Sequence, residues 1–344
     1  MKLIKTIDAE GHVLCHDITR IIPGVEKGPV FKKGHIVTKE DIPVLLSVGK
    51  ENLYVWEKTE GMLHENEAAE VLKNICIGSD ESFTASEPSE GKIEIRAANC
   101  GLFKINRKLL NLVNSLGEMM IATIHGNFPV KKGEKLAGTR IIPLVIEKEK
   151  LEKAEALCEG TQIFKLLPLS KPKTGIVTTG SEVKKGLIKD AFGPVLKAKL
   201  SEYDVPVIGQ TIVGDGRQEI IDAINEHINA GAELVLVSGG MSVDPDDNTP
   251  GAIKALGSNI VSYGAPVLPG AMMLVSYYSY MGRTIPILGL PGCVMYAKRT
   301  VFDLVLPRIL AGEMLTKEDI SAYGEGGLCK NCEACRFPDC GFGK

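Results

Sequence analysis

The sequence predicts an α/β protein: a three-layer domain on a parallel sheet over residues 173–312, preceded by a smaller β-rich part and a middle α+β part. Three observations carry this reading. From residue 174, short runs rich in Val and Ile alternate with segments of helical periodicity, the pattern of βαβ units with right-handed crossovers. The exits of these runs carry glycine, and the first three also carry an acid, as expected where a strand hands over to a loop. The first 60 residues instead hold short apolar segments punctuated by Gly24, Gly28 and Gly34.

Taken in order, residues 1–64 form the β-rich part, with a short helix over 41–48 stopped at Gly49 and a strand over 53–56. Residues 65–172 form the middle α+β part and its linker. There GSDESFTASEPSEG (78–91) reads as a loop, and 93–95 and 102–105 read as strands. Asn106 caps a helix that carries Leu109, Leu112, Val113 and Leu116 on one face and stops at Gly117. A strand over 119–124, a charged helix over 147–157 and the Pro-rich LPLSKPKT (167–174) complete this part. In 173–312, strands are expected at 175–179, 205–213, 234–237 and 260–263, with a hairpin of 272–280 and 283–288 around Met281-Gly282. Helices are expected at 191–203, 218–230, 250–256 and 294–310, the last ended by Gly312. Residues 313–344 form a tail with a four-cysteine motif.

Bulk properties narrow the function classes. With 24% charged residues and a net charge of −3, the chain offers no Lys/Arg-rich stripe, so nucleic acid is not expected as a partner. No run of about 18 apolar residues occurs, so no membrane partner or span is expected. The N-terminus lacks the pattern of a signal peptide. Of nine cysteines, four fall in the last 16 residues, a distribution that suits a reducing cytoplasm better than a secreted disulfide framework.

Ligands of open α/β sheets bind at the carboxyl ends of strands. The exits here are Thr178-Thr179-Gly180-Ser181-Glu182, Val213-Gly214-Asp215-Gly216, Val237-Ser238-Gly239-Gly240 running on to Asp247 and Thr249, and Leu290-Pro291-Gly292. Glycines let backbone N–H groups approach an anion, and carboxylates beside a phosphate make sense when Mg²⁺ lies between them. The plain alternative stays open: Asp215 caps the following helix, Thr249 is an N-cap with Pro250 at the first helical position, and Glu182 is a surface residue. Asp244 and Asp246 read as turn formers.

Five ordered motifs, TTGSE (178–182), VGDGR (213–217), SGGMSVDPDD (238–247), Pro269-Gly270 and GLPG (289–292), resemble the molybdopterin-binding domain shared by molybdopterin adenylyltransferases and molybdopterin molybdotransferases, the gephyrin-type family. Asp247-x-Thr249-Pro250 is similar to the adenylyltransferase branch. EGHVLCHDI, FKKGHIV and Tyr54-Val55-Trp56 resemble the N-terminal portion of the molybdotransferases.

The resemblance implies molybdopterin, a phosphate-bearing pyranopterin dithiolene, as ligand and molybdate as co-substrate. It implies a molybdotransferase-like, Mg²⁺-dependent insertion of molybdate into the dithiolene, or the adenylylation before it. Asp247 and Asp215 would hold phosphate-bridging Mg²⁺ or orient the transferred group, and Glu182 would lie near metal or pterin. Gly239, Gly240 and Ser242 would wrap the phosphate, and Thr179, Gly180, Thr249, Pro269, Gly270, Pro291 and Gly292 fall in the matched binding motifs. A homo-oligomer is also implied.

Four positions in three motifs depart from the family pattern. Ala271 stands where Pro-Gly is often followed by Lys, Cys293-Val294 where Asn-Pro follows GLPG, and Ser181 where Asp is common. Loss of a cation and an amide would weaken stabilisation of an oxyanion. The alternatives are therefore a non-catalytic carrier or chaperone of the cofactor, serving an apo-molybdoenzyme, or a metal-centred redox or regulatory module on the same fold.

Cys329, Cys332, Cys335 and Cys340 follow a C-x₂-C-x₂-C-x₄-C spacing. Four thiolates at such spacing suit an iron–sulfur cluster or a tetrahedral Zn²⁺; the plain alternative is a disordered tail with free thiols.

Overall fold

The computed structural model describes residues 2–22, 26–55, 60–245 and 247–344; Gly24, Trp56 and Asp246, named above, lie outside the described residues. The chain divides into two compact units. The first comprises Met1–Asn99, Ile105–Ile124 and Lys131–Lys165, the second Cys100–Lys104, His125–Val130 and Leu166–Lys344. Within the second unit the two short outlying pieces pair antiparallel with each other, Phe128 opposite Phe103 and Val130 opposite Gly101.

In the first unit, Lys2–Lys5 pairs with Asn52–Val55, and Leu14, Ile18, Leu45 and Leu53 close a small core. A four-stranded antiparallel sheet follows, in the order Phe83–Ala85, Lys92–Ala97, Lys135–Ile141, Met119–Thr123. The stretch 78–91 is thus not all loop: Phe83 is buried, and its strand pairs with Ile95–Ala97. The expected helix after Asn106 is present as Arg107–Ser115, with the Asn106 side chain accepting from Leu109 N at 3.1 Å.

The second unit holds the strands β1 (Thr174–Thr179), β2 (Val207–Val213), β3 (Leu234–Ser238), β4 (Asn259–Tyr263), β5 (Leu274–Tyr280) and β6 (Arg283–Leu290). They form one sheet in the order β2-β1-β3-β6-β5-β4. The pairs β1/β2, β1/β3 and β3/β6 are parallel, and β5 runs antiparallel to both β6 and β4. Parallel strands buried on both faces read as unbroken apolar runs, and Leu234-Val235-Leu236-Val237 shows why. Because successive side chains point to opposite faces, Ile176, Leu234, Leu236 and Leu288 enter one core and Val177, Val235, Val237 and Ile287 the other.

Helices cover both faces: α1 (Ser181–Lys184), α2 (Phe192–Ser201), α3 (Arg217–Asn229), α4 (Thr249–Ala255), α5 (Val301–Leu310) and α6 (Lys317–Ser321). The third layer on one side is α3 and α4 through Ile220, Ile224, Ile228 and Ile253; on the other it is α2 and α5 through Leu196, Leu200, Phe302 and Val305. Helix α5 is shorter than the expected 294–310. Thr300 opens it, its hydroxyl accepting from Phe302 N while Asp303 accepts from Thr300 N at 2.7 Å, a capping box. Residues Gly292–Met295 form only a 3-10 turn.

The box also anchors α5 to α2. Lys199 Nζ lies 2.7 and 2.9 Å from the Asp303 carboxylate, with both side chains buried, and Arg299 adds a contact at 2.9 Å. Removing one partner would leave an uncompensated buried charge, at about 3–5 kcal/mol.

Candidate functional site

The carboxyl ends of β1, β2 and β3 open onto a cleft of about 770 Å³. Its lining comes from three exits: Thr179, Gly180, Ser181, Glu182 and Val183 after β1, Asp215 and Gly216 after β2, and Gly239, Gly240, Asp244, Asp247 and Asn248 after β3, with Phe192 from α2. Residues far apart in the chain meet because parallel strands end on the same edge of the sheet.

Hydrogen bonds set the exits against one another. Ser181 N donates to Asp215 Oδ2 at 2.8 Å, which ties the first exit to the second. Asp215 thus does not cap α3, whose N-cap is Gly216 with no side-chain bond. Glu219 accepts from Gly214 N at 3.0 Å and pairs with Lys184 at 2.6 Å, holding the same two loops together from outside. In the third exit, Asp247 Oδ2 accepts from Asp244 N at 3.1 Å and Asp247 N donates to Asp244 O at 2.9 Å, a closed turn. The Ser181 bond engages Oδ2 of Asp215 and the Asp244 N bond engages Oδ2 of Asp247, one carboxylate oxygen of each.

Two details of the floor point to a ligand. Gly239 has φ +91°, and a Cβ there would lie 2.4 Å from Thr179 O and 2.6 Å from Thr179 Oγ1; only glycine permits this approach. The Thr179 hydroxyl is itself buried without a hydrogen-bond partner among the described residues, whereas its neighbour Thr178 accepts from Gln210 Nε2 at 3.1 Å. A buried hydroxyl left unpaired costs about 1–3 kcal/mol. A ligand atom accepting from it would recover that cost.

The lining carries Glu182, Asp215, Asp244 and Asp247, and none of its described residues is Lys or Arg. This cleft would repel an anion arriving alone and would take one accompanied by a cation. Among the described residues no group of three or more His, Cys, Asp or Glu is placed to hold a metal ion by itself. Mg²⁺ takes one or two carboxylates and completes its shell with phosphate oxygens and water, so the chemistry of this donor set fits the ion together with a phosphate.

Other expected residues are placed elsewhere. Thr249 is not an N-cap: it is wholly buried inside the first turn of α4, Asn248 precedes it as N-cap, and its hydroxyl donates to Gly239 O at 2.8 Å. Its role is to brace the glycine turn from behind. Ser242 is exposed, and its carbonyl accepts from Tyr263 OH at 3.5 Å. Gly270 packs on Val301, where a Cβ would lie 2.5 Å from Cγ1. Pro291 is buried as the N-cap of the 3-10 turn, and Gly292 is exposed. Neither lines the cleft, and Pro269 lines a different cavity.

Sequence reasoning missed Phe192 and Tyr263. Tyr263 OH donates to Met241 O at 2.9 Å and holds the acidic loop from below. Burial, and then the charge of Asp247, raise its phenol above the ordinary value, which keeps the donor protonated. Phe192 lies at the start of α2, and Tyr263 ends β4 just before Gly264, an exit that carries no acid, so no acid-and-glycine pattern marks either.

The cysteines line a second cavity, of about 840 Å³, together with Pro269, Tyr296–Arg299 and Phe337. The tail is not disordered: Phe342 is buried in the core, and Cys329 and Cys340 pack against it.

Parts of the chain are similar to known proteins. Residues 175–311 match the family model described as a probable molybdopterin binding domain, and residues 3–57 match a domain of unknown function (DUF8806). A CinA-like protein of Mycobacterium avium is 36% identical over 83 residues, covering 24% of this chain and 19% of its own. The chain thus spans about a fifth of the length of that curated relative. Among solved structures, the tungsten cofactor synthesizing protein MoaB of Pyrococcus furiosus is 24% identical, with TM-score 0.32 over 36% of this chain and 84% of that one. The molybdopterin biosynthesis enzyme MoaB of Thermus thermophilus is 20% identical, with TM-score 0.34 over 41% and 98%. Residues 175–311 thus form a divergent molybdopterin-binding domain of the kind this family model describes.

Proposed function

We propose that the cleft binds molybdopterin through its phosphate, with Mg²⁺, and that the protein acts as a molybdotransferase-like enzyme inserting molybdate into the dithiolene. The observation that carries this reading is the combination in the cleft: a buried Thr179 hydroxyl without a partner among the described residues, beside a glycine turn, in a lining that also carries Glu182, Asp215, Asp244 and Asp247. In this reading the phosphate accepts from Thr179 Oγ1 and from backbone N–H groups of the Gly239-Gly240 turn. Asp247 and Asp215 hold Mg²⁺ through their carboxylates, and Glu182 faces the pterin side. When bound, Mg²⁺ would supply positive charge against the phosphate oxygens. The chain's part is to fix the ligand: Asp215 holds the first exit, Thr249 and Tyr263 hold the third. Val183 and Phe192 supply the apolar wall that a ring system needs.

The carrier reading has one observation in its favour. Ala271 replaces the cation of the family pattern, and the described cleft lining has no basic residue to stabilise developing negative charge. Turnover separates the two. Purified protein is supplied with molybdopterin, Mg²⁺ and molybdate, and cofactor formation is followed by reconstitution of an apo-molybdoenzyme. Formation in wild type and a loss of at least about tenfold in Asp247→Ala are expected, as for removal of a group that stabilises charge at the reacting centre; full turnover in Asp247→Ala would remove that residue from the mechanism.

A further inference from the structure

The four C-terminal cysteines take no part in the cleft, and the strap that carries them is firmly built. Leu268 N donates to Gly327 O and Cys329 N to Leu268 O, both at 2.8 Å, and Gly343 N donates to Gly326 O at 2.9 Å. The Phe337 ring lies 5.7 Å from Phe128 and 6.1 Å from Phe342, with the Arg299 guanidinium 5.2 Å over it. Gly343 sits so close to α5 that a Cβ would meet Leu304 Cδ2 at 2.4 Å. The opposite wall, Tyr296–Arg299, is held by the Lys199–Asp303–Arg299 network and by Lys298 Nζ donating to Glu333 O at 2.7 Å.

We propose that this cavity holds an iron–sulfur cluster of the four-iron, four-sulfur type, ligated by Cys329, Cys332, Cys335 and Cys340. Ligand number alone would suit zinc as well. The room between the thiols favours the cluster. A single Zn²⁺ with Zn–S bonds of about 2.3 Å draws four sulfurs to within about 4 Å of one another. The four thiols instead stand around a cavity of about 840 Å³ and, like the other described residues, are not grouped at single-ion spacing. A cluster, whose irons and sulfides fill the centre, reaches outlying thiolates without closing the strap.

Charge agrees. Four thiolates on a cluster leave it anionic, and the wall supplies Lys298, Lys330 and Arg336 against Glu333, while Arg299 is paired with Glu202 and Asp303. Each thiol gives up its proton to solvent on binding, since the thiolate is the ligand. Cys332 and Cys335 are exposed while Cys329 and Cys340 are half-buried, so one side of the cluster faces water and the other rests on the core.

The test is anaerobic purification of the full chain, reconstitution with iron salts and sulfide, and parallel loading with zinc alone. About four iron and four sulfide ions per chain, with a broad visible absorption bleached by dithionite, are expected. Cys332→Ser and Cys335→Ser alter exposed residues, so they should keep the thermal transition of the wild type while losing that absorption several-fold. Cys100→Ser, an exposed cysteine outside the strap, should keep both. About one zinc ion per chain without sulfide, no bound metal at all, or undiminished absorption in Cys335→Ser would each overturn the proposal.

Discussion

The cleft of about 770 Å³ draws most of its lining from three separate strand exits and presents glycine backbone, the hydroxyl residues Thr179 and Ser181, and the carboxylates of Glu182, Asp215, Asp244 and Asp247. The cavity of about 840 Å³ draws most of its lining from one contiguous strap and faces its occupant with four thiols and the cations Lys298, Lys330 and Arg336. Similar volumes thus carry opposite electrostatics. The cleft can hold an anion only with a cation alongside, whereas the cavity already provides the positive charge that an anionic centre requires. The two regions are also anchored differently: the cleft depends on the sheet edge, and the strap on aromatic packing against α5.

If the two sites are independent, each can be broken alone. The largest effect is expected from Gly239→Ala, which forces a methyl within 2.4 Å of Thr179 O at φ +91°. Such backbone strain costs about 1–3 kcal/mol. Pterin binding, followed by fluorescence, should be lost while iron loading of the strap is unchanged; joint loss would show that the sites are coupled.

Phe337→Ala is the converse. It deletes two aromatic contacts and the Arg299 stack, about 1–3 kcal/mol in sum. Iron loading should fall and pterin affinity should stay at the wild-type value.

The smallest effect is on pH. Burial holds His227 below the ordinary histidine value, and its ring rests against β1 and β2 at Gly175 and Gly209, with Nε2 3.1 Å from Thr211 Oγ1. The unfolded chain therefore binds the proton first. Stability should decline as pH falls from about 6.5 towards the folded pKa and level off below it. His227→Gln should flatten that slope in thermal melts, and an unchanged slope would assign it to other groups.

The parallel sheet was legible because βαβ alternation is a long-range pattern written in local periodicity. Asp215, Glu182 and Asp247 were legible as exit residues for the same reason. What escaped depends on packing. Thr249 has the side chain of an N-cap, yet Asn248 takes that position and the Thr249 hydroxyl donates to Gly239 O instead. Pro269, Gly270, Pro291 and Gly292 match a binding pattern in sequence, but Gly270 is committed to Val301 and Pro269 to the strap's cavity. Spacing announced the four cysteines, whereas nothing in the spacing tells that Phe337 and Phe342 fasten them to the core. The start of α5 was placed too early because apolar residues recur through the run 294–310, and only the Thr300–Asp303 box fixes where the helix begins.

At the centre of the proposed function stands the Thr179 hydroxyl, which has no partner among the described residues and would take one from the ligand. Titrating molybdopterin with Mg²⁺ into wild type and Thr179→Val tests this most directly, because valine keeps the shape and removes only the hydroxyl. Affinity weaker by about tenfold is expected in the variant, the worth of one hydrogen bond to a charged group, with a melting temperature of the free protein equal to or above that of wild type. Equal affinity in the two proteins would contradict it.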